Sequence, residues 1–331
     1  MITPKLEQLD KTVKHTMLSV EPKSFISVQP LAKYVANGLQ MAEAKELVKY
    51  VLVEKETTIL FGDTGLGKTT LAMQYGIDIA EKGVQVLYVN FELSQQQLAK
   101  KYPQKALPGN FDIATIDYSL MHDVTDQGQI LAEIEAAALR SNAKVVIIDN
   151  LTNLCINSKE GAEAGVIMLK LLSLRMTHDW TMLILAHVPK RKASDPLTIN
   201  DLAGSKMLSN LADNVIGLNK SKLGQADRYI IQLKYRSLPI ELNEKNVMHL
   251  RLGMYDGYLH FEQLELGEER NHLPRSRDEN AELEMEIAKE LRIPSGLSYR
   301  DIAEKLGTSL GKVQRVAESM GLKRKSKKSN E

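Results

Sequence analysis

The sequence predicts an α/β protein built on a mostly parallel sheet, and three observations carry that prediction. From residue 57 to about 265, apolar β-branched runs alternate with helical segments, the pattern of a parallel sheet covered on both faces. Gly62-Asp63-Thr64-Gly65-Leu66-Gly67-Lys68-Thr69 satisfies G-x-x-x-x-G-K-[ST] and lies between a strand-like run and a helical one. Short alternating runs at 213–219, 229–236, 247–253 and 258–264, with Asp256-Gly257 as a hairpin signal, predict that the sheet ends in antiparallel strands.

The elements follow in order. Residues 1–24 are polar and charged and read as a flexible arm. Residues 25–53 read as a short strand or turn and then an amphipathic helix, opening a core domain over 25–266. Within it, strands are expected at 57–61, 85–91, 112–116, 144–149 and 181–187, and helices near 68–82, 94–102, 126–140 and 162–178. The charged, irregular stretch 267–280 reads as a linker, 281–322 as a small all-α module, and 323–331 as a basic tail.

Composition bounds the function. A chain of 331 residues with 43% hydrophobic content is globular, and a formal net charge of +1 excludes a wholly cationic polyanion binder while allowing local basic patches. The lone cysteine, Cys155, can form neither an internal disulfide nor a Cys-rich zinc site, as expected of a reducing cytoplasm. The N-terminus lacks a signal-peptide layout and no apolar run approaches the length of a membrane span, so a cytoplasmic location without membrane contact is expected.

The Gly-rich loop predicts nucleoside triphosphate binding by residues 62–70, Thr70 included. Backbone N–H groups turn inward on the phosphates, the helix N-terminus adds partial positive charge, Lys68 reaches the β/γ oxygens and Thr69 offers a hydroxyl to Mg²⁺. Lys144-Val145-Val146-Ile147-Ile148-Asp149 is an apolar strand ending in an acid, which makes Asp149 the expected metal carboxylate. The next residue is Asn150, so a water-activating base has to come from elsewhere. Glu92, at the end of the second strand, is the candidate, with a helix-capping Glu as the alternative reading.

Gly62 to Thr69, Asn90-Phe91-Glu92-Leu93-Ser94, Ile147-Ile148-Asp149-Asn150 and Leu183-Ile184-Leu185-Ala186-His187 together resemble the RecA-like core of hexameric replicative helicases of the DnaB and plasmid RepA types. The resemblance covers roughly 40–265. It implies ATP as substrate with Mg²⁺, His187 as a γ-phosphate sensor, and Lys234 and Arg236 as a Lys-x-Arg pair reaching the nucleotide of an adjacent subunit. Two solvated cations on an edge strand are the alternative reading of that pair. The resemblance also implies a homo-oligomer, a hexameric ring, acting on single-stranded DNA in plasmid, phage or mobile-element replication, with a primase or initiator as a further partner. An ATP-switched DNA-binding regulator or loader, and a recombinase-type filament, are the competing functions.

Two loops are candidates for DNA contact on the family's architecture. One is 155–165. The other is 189–206, with Lys190, Arg191, Lys192 and Lys206. In the C-terminal module Ala303, Gly307 and Val313 fall where a helix-turn-helix needs a small, a turn-forming and a buried residue. Lys312, Gln314 and Arg315 would then lie on or near its recognition helix, whether that helix meets DNA or a protein.

Overall fold

The computed structural model describes residues 26–117, 119, 127–154, 161–188, 191–202, 206–293 and 297–322. The chain forms two compact units, Met1–Glu43 and Ala44–Glu331. In the first, helix α1 (Leu31–Leu39) buries none of its residues. The second opens with a small hairpin, β1 (Glu46–Val48) and β2 (Leu52–Val53), where the pattern predicts helix. Tyr50 at φ 67° turns the chain between them, and Thr58 Oγ1 donates to the Val51 carbonyl, pinning the hairpin to the sheet.

The sheet comprises β3 (Thr57–Gly62), β4 (Val86–Asn90), β5 (Phe111–Thr115), β6 (Val145–Asp149), β7 (Thr181–His187), β8 (Asn214–Lys220), β9 (Asp227–Tyr235), β10 (Val247–Tyr255) and β11 (Tyr258–Gly267). Their order is β11-β10-β9-β8-β3-β7-β6-β4-β5. Pairing is parallel from β8 through β5 and antiparallel from β8 to β11, as the two sequence patterns predict. Asp256 and Gly257 both take positive φ at the β10–β11 turn, the conformation for which this dipeptide is suited.

Period-2 alternation sends side chains of each central strand into two cores. Ile59, Phe61, Ile148 and Ile184 pack with helices α4 (Gln127–Arg140) and α5 (Gly161–His178) on one face. Leu60, Tyr88, Ile147, Leu183 and Leu185 pack with helix α2 (Lys68–Glu81) on the other. Burial on both faces is why these strands read as continuous apolar runs. Helix α3 (Gln95–Lys101) follows β4 behind a capping box of Ser94 and Gln97, and the short α6 (Lys206–Leu211) precedes β8.

The stretch that reads as a linker is anchored. Helix α7 (Glu269–His272) buries both Glu269 and His272, with Glu269 accepting from Tyr229 Oη (2.7 Å) and the Leu197 amide (3.1 Å), and His272 Nδ1 2.9 Å from Ser221 Oγ. Glu269 and His272 face a buried polar network, which composition alone cannot distinguish from solvent. Beyond it α8 (Arg277–Leu291), α9 (Tyr299–Lys305) and α10 (Leu310–Ser319) enclose their own core of Leu283, Ile287, Leu291, Ile302, Ala303, Val313, Val316 and Ala317. Gly307 takes φ +56° in the turn between α9 and α10. No described helix is long and apolar enough to cross a membrane.

Gly62 ends β3 against the neighbouring strand, where a Cβ would stand 2.2 Å from the Leu218 carbonyl oxygen. Backbone cannot yield there without disturbing β8. Gly62→Ala is therefore expected to destabilise the protein by about 1–3 kcal/mol, read as a lower urea midpoint with unchanged slope.

Candidate nucleotide site

The loop from Gly62 to Lys68 has the backbone that its sequence requires. Gly65 and Gly67 take φ +79° and +97°, which residues with a Cβ rarely adopt, and Gly67 is the N-cap of α2. A Cβ at Gly67 would also lie 2.9 Å from Phe261 Cζ, so the β10–β11 hairpin backs directly onto the loop. Lys68 is buried, and its amine donates to the carbonyls of Gly62 (2.7 Å) and Asp63 (2.9 Å). Burial lowers its pKa to about 8, opposed by the carboxylates of Asp149, Asp63 and Glu92.

Asp149, at the end of β6, is only 2% exposed. One of its oxygens, Oδ2, accepts from both Thr69 Oγ1 and Tyr88 Oη, each at 2.6 Å. Burial and the adjoining carboxylate raise the Tyr88 pKa well above the ordinary phenol value, which keeps its proton in that bond. The Thr69 hydroxyl and the Asp149 carboxylate form a hard-oxygen pair suited to Mg²⁺, a cation that takes few protein ligands beside water and phosphate oxygens.

Sheet order brings the remaining groups to the same edge. Gly62 pairs with His187 across β3 and β7, and Asn90 pairs with Asp149 across β4 and β6. Glu92 stands two residues past β4 on a turn stapled by Asn90, whose Oδ1 accepts from the amides of Glu92 (3.3 Å) and Leu93 (2.9 Å) and whose Nδ2 donates to the Leu93 carbonyl (2.6 Å). The Asn150 amide nitrogen donates to Glu92 Oε1 and lies 3.0 Å from His187 Nε2. His187 Nδ1 is 3.3 Å from Lys68 Nζ and 3.5 Å from Thr64 Oγ1.

Burial first, and then the Lys68 charge, lower the His187 pKa, so the ring is neutral at physiological pH. A neutral imidazole accepts through one nitrogen and donates through the other: with Nε2 accepting from Asn150, the Nδ1–H has Thr64 Oγ1 as its acceptor beside the Lys68 amine.

Lys234 and Arg236 do not approach this site. They lie at the end of β9 that pairs with Asn214, the end of β8 aligned with the start of β3 rather than with its loop. The Lys234 amine donates to the carbonyls of Ser209 (2.9 Å), Asn210 (3.2 Å) and Ala212 (2.6 Å), capping the C-terminal turn of α6 with all three of its protons. Arg236 Nη1 donates to Asp213 at 3.0 Å, leaving the side chain 57% exposed.

The candidate DNA contacts divide. Lys190 and residues 155–160 lie outside the described residues, as do the arm 1–24 and the tail 323–331. Residues 161–165 belong to α5 rather than to a loop. Lys192 is exposed, and Lys206 is the first residue of α6. Arg191 folds inward instead, with Nη1 on the Asp195 carbonyl at 2.7 Å and Nε and Nη2 buried. Lys312 is likewise engaged, by Asn280 Oδ1 at 2.6 Å and Glu284 at 3.6 Å on α8, so it presents no free cation on α10; Gln314 and Arg315 are exposed. In both corrections a counted charge has found a partner within the fold.

Sequence reasoning missed Tyr88, the bridging role of Asn150, and Lys101. The last comes from α3 and donates to Thr70 Oγ1 at 3.2 Å, bringing a second amine to the first turn of α2, next to the loop. A hydroxylated aromatic within an otherwise aliphatic strand was the available signal for Tyr88.

A P-loop followed by a helix, with one strand inserted between the P-loop strand and the acid strand, defines a P-loop nucleotide-binding protein of RecA-like fold. A family model described as an AAA domain matches residues 31–193, just under half of the chain. Curated relatives include proteins named DNA repair protein RadA from Synechocystis sp. (27% identical over 54% of this chain and 35% of that protein), Streptococcus pneumoniae (26%, 54% and 39%) and Pseudomonas aeruginosa (24%, 58% and 38%). This chain spans little more than a third of the length of these relatives. Among solved structures, a KaiC-like protein from Pyrococcus horikoshii OT3 aligns at 19% identity and a TM-score of 0.49, covering 64% of this chain and 91% of that one. The family match and the RadA relatives support an ATPase of the RecA-like superfamily.

The Lys68 shift predicts a pH dependence. In the free protein Lys68 deprotonates near pH 8, whereas bound phosphates raise its pKa, so between the two values binding takes up a proton. ADP affinity is expected to be flat below about pH 7 and to fall above about pH 8, by at most about tenfold per pH unit. Titration with fluorescent ADP checks this, and Lys68→Met should bind more weakly and lose the slope.

Proposed function

We propose that this protein is a Mg²⁺-dependent ATPase that assembles as a homo-oligomeric ring, a hexamer, and uses hydrolysis to move along single-stranded DNA and separate strands during plasmid, phage or mobile-element replication. The observation that carries the reading is the Glu92–Asn150–His187 chain beside Lys68 and the Thr69–Asp149 pair. Their position together on one sheet edge supports reading Glu92 as the base, His187 as the phosphate-facing imidazole and Asp149 as the metal carboxylate, the set that phosphoryl transfer to water needs.

Residues 62–70 cradle the phosphates and Lys68 pairs with the β/γ oxygens. Thr69 and Asp149 would hold Mg²⁺, which would supply positive charge against the phosphates. Glu92 orients the attacking water and takes its proton, while Asn150 and His187 report the γ-phosphate to it. Arg236 completes the site of a neighbouring protomer. Support for that role is its exposure at the sheet end away from its own loop, from which it cannot serve its own nucleotide. Lys234 acts behind it, through the α6 carbonyls that it caps. Lys192 and Lys206, with Lys190, track the phosphate backbone of DNA, and a helix-turn-helix of α9 and α10 adds contacts through Gln314 and Arg315.

The similarity to proteins named for DNA repair favours a second reading, a recombinase-type filament with the same nucleotide chemistry. Electron microscopy with nucleotide and DNA separates closed rings from open filaments.

ATPase activity measured with and without single-stranded DNA, over a protein concentration series and with Lys68→Ala as the blank, tests the main reading. Strong stimulation that steepens with concentration is expected, with Arg236→Ala lowering kcat by about a thousandfold. Slow turnover indifferent to DNA and to concentration would contradict it.

A further inference from the structure

Among the described residues Lys68 and Arg228 are the lysine and arginine side chains below a tenth exposed, and the chemistry above uses only Lys68. Arg228 is the second residue of β9, paired with Lys220 of β8 and Leu250 of β10. Its Nη1 donates to the carbonyls of Gln225 (2.9 Å) and Asp227 (2.7 Å), which fixes the guanidinium on its own turn. Its Nε donates to the Leu66 carbonyl at 3.1 Å, across 162 residues of sequence and within the phosphate loop.

That bond has a directional consequence. In a trans peptide unit the C=O and the following N–H point in opposite directions. Holding the Leu66 carbonyl toward Arg228 therefore turns the Gly67 N–H away from β9. Without such a hold this unit is free to turn over, because the rotation is absorbed at Gly67, which lacks a Cβ and already sits at φ +97°. Lys68 restrains the Gly62 and Asp63 carbonyls at the opening of the loop. Arg228 restrains its far side.

We propose that Arg228 is a positioning residue that locks the Leu66–Gly67 peptide so that the Gly67 N–H faces a bound β-phosphate. The proposal rests on the nucleotide site described above. It assigns the antiparallel wing a supporting part in phosphate binding, since the guanidinium belongs to a strand outside the parallel portion of the sheet. Because the β-phosphate is common to ADP and ATP, loss of the hold weakens both equally and changes kcat far less than KM.

The test compares wild type, Arg228→Lys and Arg228→Met by fluorescent ADP titration and by urea unfolding. Both variants lose contacts with the Gln225 and Asp227 carbonyls, so both are expected to unfold at lower urea. Only Arg228→Met is expected to lose ADP affinity, by about tenfold, while Arg228→Lys, whose amine reaches the Leu66 carbonyl, stays within about threefold of wild type. Equal affinity losses in the two variants, or wild-type affinity in Arg228→Met, would overturn the proposal. If Arg228→Met does not fold, Arg228→Gln takes its place with the same expectation. Wild type that fails to bind ADP, or binds it independently of Lys68, would instead overturn the nucleotide site itself.

Discussion

Strand β7 lies between the P-loop strand and the acid strand, and its in-register pairing with β3, from Thr57 and Met182 to Gly62 and His187, governs what can meet at the sheet edge. It puts His187 beside Lys68 and holds Asp149 one strand further away, where Thr69 reaches it from the first turn of α2. A slip of one residue would turn every side chain of β7 to the wrong core, and a slip of two would displace His187 by roughly 6.6 Å. Close packing of the fully buried Ile59, Leu60, Phe61, Leu183, Ile184 and Leu185 against the two cores resists either. The apolar interior thus sets the spacing of the polar groups above it.

Those groups are poised rather than saturated. Asp149 is buried, accepts two hydroxyl protons and stands near the Lys68 amine. Lys68 is buried against loop carbonyls at the cost of a depressed pKa, a strain of the kind that a phosphate anion removes. The antiparallel wing holds the loop from behind, with Phe261 against Gly67, Gln74 exchanging two hydrogen bonds with the Phe261 backbone, and Arg228 on Leu66.

The parts of this arrangement that depend on local sequence were legible. Apolar runs located strands β3 to β11 to within two residues at every end except that of β11, which runs three residues further, the glycines and Lys68 located the loop, and a single acid at the end of an aliphatic run located Asp149. Strand order was not, because it is set by packing between segments far apart, and with it went the Glu92–Asn150–His187 contacts and the approach of the Lys101 amine from α3 to Thr70. Charge misled where it is buried. Glu269 and His272 made an anchored helix look like a linker, and Arg191 and Lys312 looked available while bound to carbonyls and to α8. Within 25–53 the expected helix is present only at Leu31–Leu39; residues 46–53 misled through apolar periodicity, which a hairpin held by Tyr50 and Thr58 satisfies as well as a helix does.

In the proposed mechanism Glu92, held by Asn90 and bridged by Asn150, activates water at a nucleotide bound by Lys68, Thr69 and Asp149. Glu92→Gln isolates that step, because the amide preserves shape and removes only the base. Measured side by side, ATP affinity should stay within about threefold of wild type while kcat falls by about a hundredfold or more. Turnover retained in Glu92→Gln would contradict the account and move the base to another residue.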